Sequence, residues 1–266
     1  MTCIPDNFGK VMVFVAHPDD ETIACSGLLQ RATVSLVVFG VDGAPPHYGF
    51  EKKFGSLAHY SEVRYLEASR ALASIPECSF RRLTRQDGSW FVDQHLFMEL
   101  PEAFTSLCKI AGEFQPDLLI SHAFEGGHLD HDTCHVLAKS LAQTLAVGQL
   151  EFPLYWNSKP GQDVFQEFRE PREDDFVVQL SQTELIVKRR MLTEYRTQQN
   201  IASVFHPETE RFRPVAEADG SKPTWSTYPF QNRGKPWKAG LFFQKIDDFQ
   251  RFVSTSARRE IVAIKE

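Results

Sequence analysis

The first half of the chain alternates between short apolar runs and longer segments whose apolar residues recur at helical spacing. A continuously apolar run is typical of a strand that is buried on both faces of a parallel sheet. The predicted strands of this half are Val11–Ala16, Val34–Phe39, Ser79–Leu83 and Pro116–His122. The predicted helices are Thr22–Arg31, Tyr60–Ile75, Leu96–Phe114 and Asp130–Val147. This alternation predicts an α/β fold with a doubly wound, mostly parallel sheet.

The second half of the chain is less regular. Strands are predicted at Glu151–Tyr155 and Asp175–Leu180, and a helix at Thr183–Thr197. The stretch Gln198–Trp237 is rich in proline, arginine and aromatic residues and predicts a long loop, which in a compact domain is functional or pinned to its surroundings. We expect one domain over residues 1–266. Its α/β core spans 1–150, and strands, a helix and the long loop in 151–266 pack on that core.

Composition narrows the class of protein. The 266 residues are 42% hydrophobic and 24% charged, with a formal net charge of −6, which gives no basic face for nucleic acid. No apolar run approaches the roughly 20 residues that a membrane span needs, and no signal peptide is evident. The cysteines are scattered without a CxxC pair, which favours reduced thiols in a cytoplasmic protein. The composition leaves the oligomeric state open, including a homo-oligomer.

A histidine and three acids follow the first predicted strand, in the stretch Ala16–Glu21, "AHPDDE". Ligands of open α/β sheets bind beyond the carboxyl ends of the strands, and histidine and aspartate are ligands of zinc and similar ions. Adjacent side chains point in different directions, so that Asp20 can hold a metal while Asp19 faces a water. The alternative is that the acids only cap the following helix. For Glu21, helix capping explains the residue as well as a direct chemical role does.

A similar group follows a later predicted strand. The stretch Gly126–Asp132 reads "GGHLDHD" and brings His128, Asp130 and His131 to the start of a helix. A site built from His17, Asp20 and His131 gives a metal three protein ligands and leaves one position open, as in catalytic zinc sites.

Other ligand sets remain open. His131 and His135 are four residues apart on one predicted helix and can face one metal, although the glutamate of an HExxH motif is absent. His122 is an alternative at the strand end. Cys134 is either a soft ligand or a buried bystander.

The two motifs together resemble the PIG-L/LmbE-like family of zinc-dependent N-acetylglucosamine de-N-acetylases. Further similarities are "EVRYLEASRAL" to its Arg-x-x-Glu helix, "RQDGSW" to its Asp-Gly loop, and "ERFRP" (Glu210–Pro214) to a late motif of a bacterial subgroup. Leu129 departs from the pattern, because many relatives have proline there. The resemblance implies a Rossmann-like, LmbE-like fold.

The resemblance also implies roles for individual residues. His17, Asp20 and His131 bind Zn²⁺, although the residue types also accept Fe²⁺. Asp19 is the general base. His128 stabilises the oxyanion or protonates the leaving amine, and Asp130 orients it. The implied substrate-binding residues are Arg64 and Asp87, each of which also has a plain structural alternative: Arg64 pairs with Glu62 or Glu67 on its own helix, and Asp87 forms an ordinary turn.

The functional hypothesis is therefore a metal-dependent hydrolase that removes acetyl from a small-molecule N-acetylglucosamine-type conjugate. Two alternatives stay open: a hydrolase of a different amide, such as a thiol–sugar conjugate or an acylated antibiotic, and a metal-binding or sugar-binding relative without turnover. Trp225, Tyr228, Phe230 and Trp237 either stack on a sugar or pack the long loop. The basic run Lys188–Arg190 is expected to be a solvated face.

Overall fold

Nine strands and eight helices follow one another in residues 8–159, 162–215 and 239–265, the part of the chain that this computed structural model describes. The strands are β1 (Phe8–Val15), β2 (Ala32–Phe39), β3 (Cys78–Arg82), β4 (Leu118–His122), β5 (Gly148–Phe152), β6 (Tyr155–Lys159), β7 (Gln162–Phe165), β8 (Phe176–Gln179) and β9 (Thr209–Pro214). The helices are α1 (Asp20–Arg31), α2 (Phe50–Phe54), α3 (Leu57–Leu72), α4 (Leu100–Phe114), α5 (Leu129–Leu145), α6 (Gln182–Glu194), α7 (Gln199–Ala202) and α8 (Ala239–Lys265).

A seven-stranded sheet with the order β3-β2-β1-β4-β5-β9-β8 forms the centre of the described structure. The first five strands of this order run parallel to one another. At one edge, β9 pairs antiparallel with β5, and β8 pairs antiparallel with β9. The predicted doubly wound, mostly parallel α/β fold is thereby confirmed. The strand order reverses between β1 and β4, and such a switch point is where open α/β sheets bind ligands.

Alternating residues of β1 enter two separate cores. Met12 and Phe14 pack with the buried faces of α4, α5 and α8 on one side of the sheet. Val11, Val13 and Val15 pack with α1, α3 and α6 on the other side. Both faces of β1 are therefore covered, which explains why its sequence is apolar without alternation.

The C-terminal part differs most from the prediction. The segment predicted as a loop from Gln198 contains α7 and β9, and the hairpin β6–β7 and helix α8 were not predicted. The start of that segment is pinned to α3, because Glu67 accepts hydrogen bonds from the backbone and hydroxyl of Thr197 at 3.0 and 2.6 Å. The four aromatic residues Trp225, Tyr228, Phe230 and Trp237 lie outside the described residues.

The expectation for Lys188 was wrong. Its side chain is only 1% exposed, and Nζ lies 2.8 Å from a carboxylate oxygen of the buried Glu210. Among the described residues, Cys25, Cys78, Cys108 and Cys134 form no disulfide. None of the described helices has the length and hydropathy that crossing a bilayer requires.

Candidate active site

The carboxyl ends of β1 and β4 lie side by side at the switch point, where Phe14 pairs with Ser121. His17 to Asp19 connect β1 to α1, and residues 123–128 connect β4 to α5. The two histidine–aspartate motifs are more than a hundred positions apart in sequence, yet the parallel pairing of these strands places them at one sheet edge.

Three donor atoms of the two motifs face one another. Nδ1 of His17 lies 3.3 Å from Oδ2 of Asp20 and 3.2 Å from Nε2 of His131, and Nε2 of His131 lies 3.7 Å from the same Asp20 oxygen. Ligands about 2.1 Å from a tetrahedral zinc are separated from each other by about 3.4 Å. The triangle of these three atoms therefore has the size that a tetrahedral divalent ion requires, and all three side chains are buried.

The protonation states of two members of this triangle, Asp20 and His131, suit a cation. Burial lowers the pKa of the third, His17, but Asp93 and Asp20 outweigh it and raise that pKa well above its usual value. Burial opposes ionisation of Asp20, but His131, His122 and His17 outweigh it and hold the pKa of the carboxyl well below its usual value. Burial and the neighbouring histidines lower the pKa of His131 well below its usual value, which keeps its imidazole neutral. A carboxylate and a neutral imidazole are the forms that bind metal.

His122 lies next to the same cluster, at the end of β4. Its Nε2 lies 3.3 Å from Oδ2 of Asp20, and its ring stacks on His131 with a centroid distance of 4.1 Å. Asp20, His122 and His131 form a second group of donors that lie close enough to share an ion. Nε2 of His122 accepts the backbone N–H of Ala16 at 3.1 Å, so that its lone pair is engaged and His122 lies beside the cluster without offering that nitrogen to an ion.

The other alternative ligands point elsewhere. Nδ1 of His135 lies 3.1 Å from the Glu151 carboxylate and 3.0 Å from the backbone oxygen of His122. Cys134 is buried and belongs to none of the metal-sized groups found among the described residues. The structure therefore does not bring His131 and His135 together around one ion.

Asp19 sits beside the triangle in an unusual backbone conformation. Its φ of 140° is rare for a residue with a side chain, and the Glu21 carboxylate accepts a 3.0 Å hydrogen bond from its backbone N–H. Burial raises the pKa of Asp19 to about 8, although the Arg64 guanidinium opposes this shift. A buried carboxyl whose pKa lies near neutrality is suited to take up a proton.

Glu21 is a structural acid of this loop. It is completely buried, and its Oε1 accepts hydrogen bonds from the hydroxyls of Thr22 and Tyr195. The carboxylate therefore connects the residue after α6 to the strained loop before α1. These contacts give Glu21 a structural role in shaping the loop, which the sequence analysis considered only as capping of the helix.

Arg64 reaches this loop from α3 and is 5% exposed. Its guanidinium donates to the backbone oxygens of Gly43 and Pro18 at 2.7 and 2.9 Å and to Oδ1 of Asp19 at 3.1 Å. These contacts replace the predicted pairing within α3, since Glu67 binds Thr197 instead. The guanidinium holds the predicted base in place.

Asp87 lies in an exposed turn. Its carboxylate accepts hydrogen bonds from the backbone and hydroxyl of Ser89 at 2.9 and 2.6 Å. These contacts are those of a residue that shapes its own turn. Its role in substrate binding stays a prediction.

His128 is the N-cap of α5, and its Nδ1 accepts a 3.2 Å hydrogen bond from the backbone of Asp130. Nε2 of His128 consequently carries the proton in the neutral ring. The Asp130 carboxylate accepts a 2.5 Å hydrogen bond from the backbone of Gln94 and lies 3.8 Å from Nε2 of His17. The Asp130 carboxylate therefore binds the loop that contains Gln94 and also lies near His17.

Asp93 is a member of the cluster that the sequence analysis did not find. Its Oδ2 lies 3.4 Å from Nε2 of His17, and it forms a metal-sized group with His17, His128 and Asp130. The residue is 2% exposed. It lies after the Asp-Gly turn in "WFVDQH", where His95 follows two residues later but no predicted strand end indicates a site.

Comparison with known proteins identifies the kind of domain that carries these residues. Residues 12–142 match the PIG-L family, described as GlcNAc-PI de-N-acetylase. The match contains both histidine–aspartate motifs, Arg64, Asp87 and Asp93. No protein of curated function is similar enough in sequence to count as a match.

Several solved structures share the fold. A deacetylase–teicoplanin complex from the teicoplanin biosynthesis pathway is 18% identical, with a TM-score of 0.58 over 80% of this chain and 100% of that chain. The A40926 pseudoaglycone deacetylase is 16% identical, with a TM-score of 0.57 over 79% and 98%. A 4-carboxy-2-hydroxymuconate hydratase from Pseudomonas putida is 15% identical, with a TM-score of 0.50 over 80% and 99%. Because these identities are low, the similarity establishes the fold only. The reaction has to be inferred from the residues of the site.

Proposed function

Because residues 12–142 form a domain of the PIG-L family, we propose that this protein is a metal-dependent hydrolase that removes acetyl from an N-acetylglucosamine-type conjugate. The products are a free amine and acetate. The family description supports the substrate class, and the donor triangle of His17, Asp20 and His131 supports the metal dependence.

One observation carries the proposal: a triangle of metal-sized donor spacing lies beside a buried carboxyl that has no place in the triangle. Asp19 stands between the proposed ligands His17 and Asp20 in the chain, and burial raises its pKa to about 8. A protein that only binds metal has no use for a strained, buried acid next to its ligands. A hydrolase needs such a group to take a proton from water.

His17, Asp20 and His131 would hold the divalent ion, which when bound would supply an acidic water, its pKa lowered from about 16 to about 7, and a Lewis acid for the amide carbonyl. Asp19 then accepts the proton from the attacking water. The Nε2–H of His128 donates to the developing oxyanion or to the leaving nitrogen, and one donor of this kind contributes roughly 3–4 kcal/mol. Asp130 fixes His128 through its backbone N–H, which binds Nδ1.

The test is acetate release from a panel of N-acetylglucosamine conjugates, with protein that is depleted of metal and then reloaded with Zn²⁺ or Fe²⁺. We expect no release without metal and restored release after reloading. His131→Ala should bind metal poorly and stay inactive after reloading.

Two outcomes contradict the proposal. Release that survives complete metal depletion excludes a metal-dependent hydrolase. Bound metal without acetate release from any conjugate excludes this substrate class and directs the search to other acyl amides.

A further inference from the structure

The two ring nitrogens of His17 face two different groups of side chains. Nδ1 faces Asp20 and His131 at 3.3 and 3.2 Å, which is the side of the proposed metal. Nε2 faces carboxylate oxygens of Asp93 and Asp130 at 3.4 and 3.8 Å. A neutral imidazole has one nitrogen with a proton and one with a lone pair, so its surroundings decide which is which.

Of the two carboxylates, Asp93 is the one suited to accept a proton from Nε2. It is the nearer of the two. Oδ1 of both carboxylates is buried without a hydrogen-bond partner among the described residues, so the oxygens that face His17 distinguish them. The Asp130 oxygen that faces His17 already accepts the backbone N–H of Gln94 at 2.5 Å.

The loop around Asp93 is held from several sides. The backbone N–H of Asp93 donates to the Asp42 carboxylate at 3.0 Å, and its backbone oxygen contacts Nδ1 of His95 at 3.0 Å. The next residue, Gln94, has a φ of 67° and is tied to Asp130. A left-handed residue with a side chain costs conformational energy, and such strain is maintained where the surrounding contacts fix a functional geometry.

We propose that Asp93 is a positioning residue that accepts the Nε2–H of His17 and so presents Nδ1 of His17 as the metal ligand. This inference rests on the metal site proposed above. A carboxylate behind a histidine ligand fixes its tautomer and ring orientation and raises its basicity. Loss of such a partner weakens metal affinity about 10–100-fold.

The first measurement is zinc affinity by competition with a chromophoric chelator. We expect Asp93→Asn to bind zinc about 10-fold more weakly than wild type and Asp93→Ala up to about 100-fold more weakly. Glu113→Gln removes an exposed carboxylate on α4 that pairs with Arg81 and belongs to none of the metal-sized groups among the described residues, and it should bind zinc like wild type. Asp93→Asn preserves the shape of the side chain, and thermal unfolding of the metal-free proteins checks that each variant folds.

The second measurement reads the tautomer directly. Long-range ¹H–¹⁵N correlation spectra of the zinc-loaded protein should show a protonated Nε2 on His17. Ligation through Nδ1 leaves the proton on Nε2 with or without Asp93. The readout of Asp93 is therefore the Nε2–H resonance, which should differ between wild type and Asp93→Asn when the carboxylate accepts this proton and stay the same when Asp93 is purely structural.

The outcomes separate this inference from the proposed function. Wild-type protein that binds no zinc refutes both. Wild-type protein that binds one zinc, with equal affinity in Asp93→Asn, refutes only the role of Asp93. A proton on Nδ1 of His17 refutes that role and also the donor triangle, but it does not refute a metal-dependent hydrolase. A second bound zinc that is lost in Asp93→Asn also refutes the role of Asp93, because Asp93 is then a ligand itself.

Discussion

Asp19 and Asp20 are adjacent residues whose surroundings give them opposite properties. Histidines around Asp20 keep its pKa well below the usual value, whereas burial raises the pKa of Asp19 to about 8. Pairs of carboxyls with separated pKa values are typical of sites that need one ionised group and one proton carrier. From this difference we propose that Asp20 binds the metal and that Asp19 transfers the proton.

Asp19→Asn tests whether Asp19 is the base, because it replaces one carboxylate oxygen by an amide nitrogen. We expect the variant to keep its metal but to lose about 10²–10⁴-fold in kcat, because the amide cannot accept the proton of the attacking water. Metal content and acetate release measure the two effects separately. Turnover at the wild-type rate would show that another group is the base.

Arg64→Gln tests whether Arg64 serves the base or the substrate. The guanidinium lowers the pKa of Asp19, so its removal raises that pKa. The base must be deprotonated to act, and the acid limb of kcat/KM should therefore move to higher pH. Arg70→Gln, on the exposed side of the same helix, should leave the profile unchanged. An unmoved acid limb with an increased KM would favour the substrate-binding role that the family resemblance implies.

At the scale of elements, one buried ion pair joins three segments behind the site. Glu210 on β9 accepts hydrogen bonds from Lys188 on α6 at 2.8 Å and from Ser26 and the backbone of Gly27 on α1 at 3.1 and 2.9 Å. Both charged side chains are nearly inaccessible to water. The pair therefore ties the antiparallel edge of the sheet to the helix that begins at the ligand loop.

Lys188→Met should destabilise the protein by about 3–5 kcal/mol, because it leaves the Glu210 carboxylate buried without its counter-ion. The neighbouring Arg189 pairs with Glu208 on the surface, and Arg189→Ala should cost less than about 1 kcal/mol. Urea unfolding measures both. Equal costs for the two variants would mean that the buried pair contributes no more than a surface pair.

The sequence predicted the elements with a strong local signal and missed those that depend on distant contacts. The strands β1, β2 and β4 are continuous apolar runs, and the two histidine motifs stand directly beside predicted strand ends. Asp93 has no such neighbours, because its position depends on contacts with Asp42, His17 and Asp130. In the sequence, the basic run that begins at Lys188 resembles a solvated face. Only its distant partner on β9, Glu210, shows that Lys188 is buried. Helix α8 was missed although Phe242, Ile246 and Phe249 repeat at helical spacing.

At the scale of the whole molecule, helix α8 completes one of the two cores. Phe242 and Phe249 are fully buried, and their rings contact Phe97 and Phe104 at centroid distances of 5.5 and 5.4 Å. Strands β9 and β8 extend the central sheet at the edge next to β5. We propose that the C-terminal part belongs to one domain with the α/β core.

Phe249→Ala should reduce the free energy of unfolding by about 3–5 kcal/mol, because it removes a ring from the core that supports α4. Gln250→Ala changes the exposed face of the same helix and should have an effect within about 0.5 kcal/mol. Chemical unfolding followed by circular dichroism compares them. A small loss in Phe249→Ala would show that α8 is not part of the cooperative unit.

The strand order also has a consequence during synthesis. Strand β1 finds its first neighbour, β2, soon after translation, but its second neighbour, β4, lies about 100 residues later, which ribosomes need about 5–20 s to add. During that time one edge of β1, an apolar strand, lacks its partner strand, and unpaired strand edges favour aggregation. The same delay separates the first histidine motif from the second. We therefore expect the nascent chain to depend on chaperones before residue 131 emerges and to acquire its ion only afterwards.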